Sequence, residues 1–279
     1  MHILVLQNGA NCNKIRAELS KEMRERNMLY NERAELILRQ LQLQSTVKVG
    51  ELSQLLQVSV DTIRRDLKAM EQSGLVRCVR GGACLPDARL SLSNFTGREI
   101  INGDLKREAA RKALHYVKEG DVIALNSGTT NTVLSQELVG LNMKFVVVTN
   151  NYAAIHILMQ NPEIRLIAVG GTIDPLERST YGTVCEEEFS RYRPDIAFLS
   201  INAVNYKDGY TDFRLDEIGV LQLLAKRAKT VIAVMDSSKL GRCSKREALR
   251  PEDVDLLVMD DHVSEDMKKM YQEKGISIL

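Results

Sequence analysis

Two groups of residues in this 279-residue chain have types and spacings that do chemistry. The first is Asn126-Ser127-Gly128-Thr129-Thr130, which follows the apolar run Val122–Leu125 and opens a helical pattern. A glycine there lets the backbone approach an anion, while hydroxyls and the free N–H groups of a helix start hold it. The GxxxxGK[ST] spacing of a Walker A loop is missing. Thr149-Asn150, Gly170-Gly171 and Asp236-Ser237-Ser238-Lys239 end three further apolar runs, and Lys239 offers a positive charge. Each turn alone is ordinary loop chemistry. Four polar strand ends on one sheet indicate a site for a small anionic ligand. Its expected contacts are Asn126, Ser127, Gly128, Thr129, Thr130, Thr149, Asn150, Gly170, Gly171 and Lys239.

The second group lies between Val47 and Arg80. Val49, Leu52, Leu55 and Leu56 share one helical face, Gln57-Val58 is a tight break, and Ser59 is placed to cap a second helix. Ile63, Leu67 and Met70 form that helix's apolar stripe, leaving Thr62, Arg64, Arg65 and Lys68 largely off it. Two short helices across a tight turn predict a helix-turn-helix, whose second helix enters the major groove by its N-terminal end. Val60, Asp61 and Thr62 then face base edges, and Ser59 and Thr62 also reach phosphates. Arg64 and Arg65, with Lys48 and Lys68, supply charge to the backbone, or one arginine reads guanine. Leu75 to Ala83 reads as a basic hairpin turning at Gly81-Gly82, a wing whose Arg80 reaches the minor groove. A plain helical pair with a solvated basic face is the competing reading.

The elements that must position these groups alternate. A helix from about Met28 to Leu43 buries Ile37, Leu38 and Leu41 behind the helix pair, and Gly74 ends the second helix. Beyond a stretch broken by Pro86, Asp87, Ser91, Ser93, Asn94 and Gly97, strands and helices take turns. Strands are expected at 121–125, 144–149, 164–169, 195–200, 231–235, 256–258 and 276–278. Helices are expected between them, including 216–228 and 265–272. Short buried strands in βα alternation predict a parallel sheet covered on both faces. The division expected is an N-terminal extension at 1–27, a winged helix-turn-helix domain at 28–85, a linker at 86–104 and an α/β sensor domain at 105–279.

Composition narrows the classes. The net charge is +1, too small for a general polyanion binder, yet residues 24–86 carry ten Lys/Arg against seven Asp/Glu. The five cysteines form no CxxC pair and the four histidines are scattered, so neither a disulfide framework nor a metal site is expected, and the thiols are read as those of a reduced, cytoplasmic protein. No apolar run is long enough for a transmembrane helix, and no membrane partner is expected.

Thr62-Ile63-Arg64-Arg65-Asp66-Leu67 followed by Arg80-Gly81-Gly82-Ala83 resembles the DeoR family of bacterial sugar-catabolism repressors, from about Met28 to the C-terminus. Ser127-Gly128-Thr129-Thr130, Thr149-Asn150, Gly170-Gly171 and Asp236-Ser237-Ser238-Lys239 are similar to the family's effector domain. The resemblance implies a sensor related in fold to ribose-5-phosphate isomerase and coenzyme A transferases, a phosphorylated-sugar effector, double-stranded operator DNA as partner, and a homodimer or homotetramer. No cofactor is implied. Three departures stand out. Asn126 replaces a usual Asp, Leu221 replaces a common lysine, and Ser200–Val204 lacks the glycines often found there. These weigh against an enzyme, which needs such groups for proton transfer. A repressor released by a sugar phosphate is the expectation. A sugar-phosphate isomerase with a helical appendage is the alternative, and activator is not separable from repressor.

Overall fold

The computed structural model describes residues 28–44, 46–85 and 95–279, so the expected extension at 1–27 lies outside the described residues. The chain forms two compact units, divided between Ile101 and Asn102.

The first unit holds helices Tyr30–Gln44, Val49–Leu56 and Val60–Gln72 with strands β1 (Thr46–Lys48), β2 (Arg77–Val79) and β3 (Gly82–Cys84). All three expected helices and the hairpin are present. One core joins them. Ile37, Leu38 and Leu41 meet Leu52, Leu56, Ile63, Leu67 and Met70, with Val47, Leu75 and Ala83 from the sheet side. The turn between the helix pair is made by Gln57 in the left-handed region (φ 55°), and the Ser53 hydroxyl closes it on the Val58 carbonyl at 2.6 Å. The third helix ends in a Schellman motif: Gly74 (φ 69°) donates to Glu71 O and Leu75 donates to Met70 O.

Strand β3 runs between β1 and β2, antiparallel to both. The wing turns at Arg80-Gly81, one residue earlier than the expected Gly81-Gly82, because Gly82 already pairs with Val79, and Gly81 stands at φ 83°. Gly82 has a different duty. A β-carbon there would stand 1.9 Å from the Val47 carbonyl oxygen, so β3 approaches β1 only because Gly82 has none. Residues 86–94 of the expected linker lie outside the described residues. Residues Phe95–Ile100, in the same stretch, are helical, and Phe95 is fully buried. This helix packs on Tyr30–Gln44 and so belongs to the first unit. The next helix, Gly103–Ala113, starts two residues before the expected domain start.

The second unit is built on a six-stranded sheet. In chain order its strands are β4 (Val122–Leu125), β5 (Phe145–Thr149), β6 (Ile164–Ala168), β9 (Ile196–Leu199), β12 (Thr230–Val234) and β14 (Leu256–Val258). A hairpin, β7 (Thr172–Asp174) and β8 (Ser179–Tyr181), stands apart from it, as does a small antiparallel sheet of β10 (Ala203–Asn205), β11 (Gly209–Asp212) and β13 (Arg246–Leu249). The large sheet has the order β14-β12-β9-β4-β5-β6 and every pair in it is parallel. Successive residues alternate between two cores. Ile123, Leu125, Val147, Phe198 and Ile232 pack with Ala109, Ala110, Ala113, Leu134, Leu138 and Leu158 on one side. Ala124, Val148, Ala197, Leu199 and Ala233 pack with Cys185, Phe189, Leu221, Leu224 and Tyr271 on the other.

The expected α/β sheet with helices on both faces is therefore present. One expectation is corrected: 276–278 makes an isolated parallel bridge, Ile278 to Leu257, and not a full strand. The chain order places β5 and β6 on one side of β4, and β9, β12 and β14 on the other. The direction of winding thus reverses between β4 and β9, and the crevice at such a reversal is where open sheets bind ligands.

Candidate nucleic-acid interface and effector site

On the first unit the helix Val60–Gln72 presents one polar and one buried face. Ser59 caps it from an extended backbone (φ −63°, ψ 151°), accepting a hydrogen bond from Thr62 N at 3.1 Å and sharing another with the Thr62 hydroxyl at 2.8 Å. Ser59, Val60, Asp61, Arg64, Arg65 and Lys68 are exposed and Thr62 is half-buried. Arg64 and Asp61 form a loose exposed ion pair at 3.2 Å, and Lys48 forms another with Glu51 at 3.3 Å. Arg80 is exposed at the tip of the wing.

The spacing argument missed Asp66. It lies on the buried face, 5% exposed, where an isolated carboxylate is costly. Arg33 compensates it with two hydrogen bonds, Nε to Oδ2 at 2.6 Å and Nη2 to Oδ1 at 2.9 Å. That fork, which also raises the pKa of the Arg33 guanidinium, locks the exposed helix onto the helix behind it. The candidate DNA-binding face is thus polar and solvated, and its orientation is set from beneath.

On the second unit the polar groups are buried instead. At the β4–β9 reversal, Asn126 Nδ2 donates to Ser200 O at 3.1 Å, and Asn126 Oδ1 accepts from Ser200 N at 2.8 Å and from Asn131 Nδ2 at 2.9 Å. The side chain bridges two strand ends, and both acceptor positions of its oxygen are taken there. A carboxylate has no proton to give Ser200 O, so Asn suits this chain's geometry where Asp does not. Gly128 (φ 124°) begins the helix Thr129–Leu138; a β-carbon on it would strike Ser200 Oγ at 2.6 Å and Arg214 Nη1 at 3.0 Å. The first N–H groups of that helix have no partner within it and face the crevice end.

Over this turn lies Arg214, a residue the spacing argument did not select. It is almost fully buried and donates to Ser127 O and Oγ (both 3.1 Å), to Ser200 O (2.9 Å) and to both oxygens of Asp212 (3.0 and 2.7 Å). Burial pushes the Asp212 carboxyl upward, but the Arg214 guanidinium outweighs it and holds the acid below its usual range. Glu217 lies in the first turn of the helix expected at 216–228, where a carboxylate is ordinarily solvated. Glu217 is instead 3% exposed, with Oε1 accepting from Asn150 Nδ2 at 3.2 Å and Ser179 Oγ at 3.1 Å.

The β12 end supplies the cation. Lys239 Nζ donates to Thr130 Oγ1 at 3.3 Å and to Ile201 O at 3.1 Å, with Asp236 Oδ2 at 3.9 Å. Burial raises the Asp236 carboxyl, yet Lys239, the Ser238 hydroxyl, Lys106 and Asn102 together hold it below its ordinary value. Ser127, Gly128, Thr130, Asn150 and Lys239 are thus drawn into one neighbourhood of strand ends. Thr149 ties β5 to the Leu125 carbonyl at 2.8 Å. Gly170 is exposed, and Gly171 lies against Tyr181 and Cys185, where a side chain would clash. Leu221 is wholly buried in the apolar core. Two surface depressions of about 400 and 410 Å³ lie elsewhere, lined by Glu247 and Arg250, and collect none of these groups. Among the described residues no helix is long and apolar enough to cross a membrane, and no cluster of three or more His, Cys, Asp or Glu residues is suited to hold a metal.

Comparison with known proteins bears on both units. A family model described as the DeoR C terminal sensor domain matches residues 101–261, and one described as the DeoR-like helix-turn-helix domain matches residues 33–89. The HTH-type transcriptional regulator GolR of Listeria innocua is 32% identical over 247 residues, covering 88% of this chain and 97% of GolR. The HTH-type transcriptional repressor GlcR of Bacillus subtilis is 28% identical over 90% of this chain and 96% of its own. A putative aga operon transcriptional repressor of Escherichia coli O157:H7 is 27% identical over 89% and 93%. Among solved structures, ribose 5-phosphate isomerase A of Methanocaldococcus jannaschii gives a TM-score of 0.38 at 23% identity, covering 50% of this chain and 55% of that one. At that level the likeness carries no argument about function.

Proposed function

We propose that this chain, which belongs to the DeoR family of helix-turn-helix transcriptional regulators, represses a carbohydrate-utilisation operon and leaves its operator when a phosphorylated sugar binds the second unit. On this reading it is a cytoplasmic regulator and not an enzyme. The observation that carries the effector half is the Lys239 ammonium against the Thr130 hydroxyl, at the start of the helix Thr129–Leu138 beside the β4–β9 reversal. A phosphate there meets a helix start, hydroxyls and a cation together.

On the DNA side, Val60, Asp61 and Thr62 face base edges, Ser59 and Thr62 reach phosphates, Lys48, Arg64, Arg65 and Lys68 supply charge to the backbone or one arginine reads guanine, and Arg80 enters the adjacent minor groove. A two-fold homodimer, or a tetramer built from it, sets two such helices roughly 34 Å apart on one DNA face. Release is linkage: the sugar phosphate binds the DNA-incompetent arrangement more tightly, by ~1–3 kcal/mol of coupling.

A thermal-shift screen of the full chain against monophosphorylated sugars identifies the effector, since a ligand at ~100 times its Kd adds about 2.7 kcal/mol. Gel shift on DNA upstream of its own gene follows. The expected result is that the stabilising sugar phosphate also dissociates the DNA complex. If no sugar phosphate stabilises the protein or perturbs that complex, the proposal fails.

A further inference from the structure

Three buried side-chain oxygens among the described residues lack a hydrogen-bond partner: Asn131 Oδ1, Asn150 Oδ1 and Glu217 Oε2. Buried polar atoms are almost always paired, so each orphan points to a missing partner. Two of the three belong to side chains that touch each other. Asn150 Nδ2 donates to Glu217 Oε1 at 3.2 Å and to the Thr180 carbonyl at 2.6 Å. The Thr180 carbonyl only accepts, which fixes the amide's orientation and turns Asn150 Oδ1 away from it. Glu217 Oε1 is further committed to the Ser179 hydroxyl. What remains is a pair of sealed acceptors awaiting donors.

The pair adjoins the anion cradle. Ser127, within the cradle, bonds Arg214 through its hydroxyl and also acts on the Glu217 carboxyl. Asn151, next to Asn150, donates to the Gly128 carbonyl at 3.2 Å. We infer that Glu217 and Asn150 form the hydroxyl-recognising end of the effector site, and that the effector is a polyhydroxylated phosphate ester lying with its phosphate toward Thr130 and Lys239 and its hydroxyls toward Glu217. The inference rests on the sensor reading proposed above and adds the ligand's direction and the residues that meet its hydroxyls.

Chemistry sets that direction. An ionised Glu217 repels phosphate and accepts from hydroxyls. A neutral Glu217, which burial favours against the pull of Arg214, Ser127 and Ser179, has a proton to donate as well. A hydroxyl both donates and accepts, so it satisfies Oε2 in either state. A phosphate oxygen has nothing to give Asn150 Oδ1. The positive end of the site, Lys239 and the helix start, is left for the phosphate.

Calorimetric titration of the full chain with inorganic phosphate and a panel of pentose and hexose monophosphates tests this. In the wild type, at least one sugar phosphate is expected to bind about tenfold or more tightly than inorganic phosphate. In a Glu217→Met protein, which keeps much of the volume but offers a hydroxyl no comparable hydrogen-bonding group, the ratio of sugar-phosphate to inorganic-phosphate affinity is expected to fall about tenfold. If phosphates bind but no sugar phosphate exceeds inorganic phosphate, the orphan oxygens hold only water and the inference is overturned, whether or not the variant folds. A ratio unchanged by Glu217→Met overturns it equally, while leaving the sensor reading intact. If no phosphate of any kind binds, the sensor reading falls and takes the inference with it.

Discussion

In the first unit the charged residues proposed for function lie outside and the apolar ones within. Arg64, Arg65, Lys68 and Arg80 are in solvent, while Ile63, Leu67 and Met70 are sealed beneath them. In the second unit Asn126, Ser127, Thr130, Asn150, Asp212, Arg214 and Glu217 are all buried at the ends of strands. The difference predicts how mutation reads out. Function and stability separate in the first unit, because solvent already satisfies an exposed charge. They are entangled in the second, where each polar group is another's hydrogen-bond partner.

The largest expected effect tests the entangled half. Arg214→Met strips Asp212 of its counter-charge and Ser127 and Ser200 of their donors. Breaking a buried pair on one side costs about 3–5 kcal/mol, so chemical denaturation should show a loss of that order; a loss near zero would erase the contrast between the units. Next is Arg65→Ala. Operator affinity in a gel shift should drop by about 1–3 kcal/mol, while the unfolding free energy moves by no more than about 0.5 kcal/mol. Unchanged affinity removes Arg65 from the interface.

Ser59→Ala sharpens the boundary between the two behaviours, because Ser59 is exposed yet caps the helix. It should cost ~1 kcal/mol of stability as well as weakening DNA binding, and a stability change indistinguishable from that of Arg65→Ala would argue against the cap. The smallest effect concerns pH. Burial raises the Glu217 carboxyl above its ordinary value, so the folded state favours the proton. Below the unfolded-chain pKa of roughly 4.3 both states are protonated, and wild type and Glu217→Gln differ by a fixed amount. As pH rises past that value the unfolded chain ionises first and the wild type loses stability that the glutamine variant keeps. The variant's relative stability should therefore grow as pH rises above about 4, measured by urea unfolding at each pH; a constant difference would mean the carboxyl titrates alike in both states.

Much of the first unit was readable in one dimension. Leu52 and Leu56, and Ile63, Leu67 and Met70, recur at helical spacing, and a serine before such a run caps it wherever the helix ends up. Asp66 was not readable, because a carboxylate on a buried face is tolerable only through Arg33, a partner 33 positions away. The parallel strands of the second unit were visible as short apolar runs, and four of their polar ends stood out. The hairpin β7–β8 and the small sheet β10–β11–β13 were not, since their short strands mix polar and apolar side chains, unlike the equally short but wholly apolar β4, β9 and β14.

Local sequence thus determined the elements and the kinds of group at their ends, because helical spacing, strand alternation and capping depend on neighbours along the chain. Tertiary structure alone decided which polar groups are spent and which are left over. Asn126 and Arg214 are committed because the order of strands brings Ser200 and Ser127 to them, and Glu217 retains an unpaired oxygen because folding buries a carboxylate in the first turn of a helix. Hydrogen-bond partnership is a property of through-space distance, which the order of residues does not state.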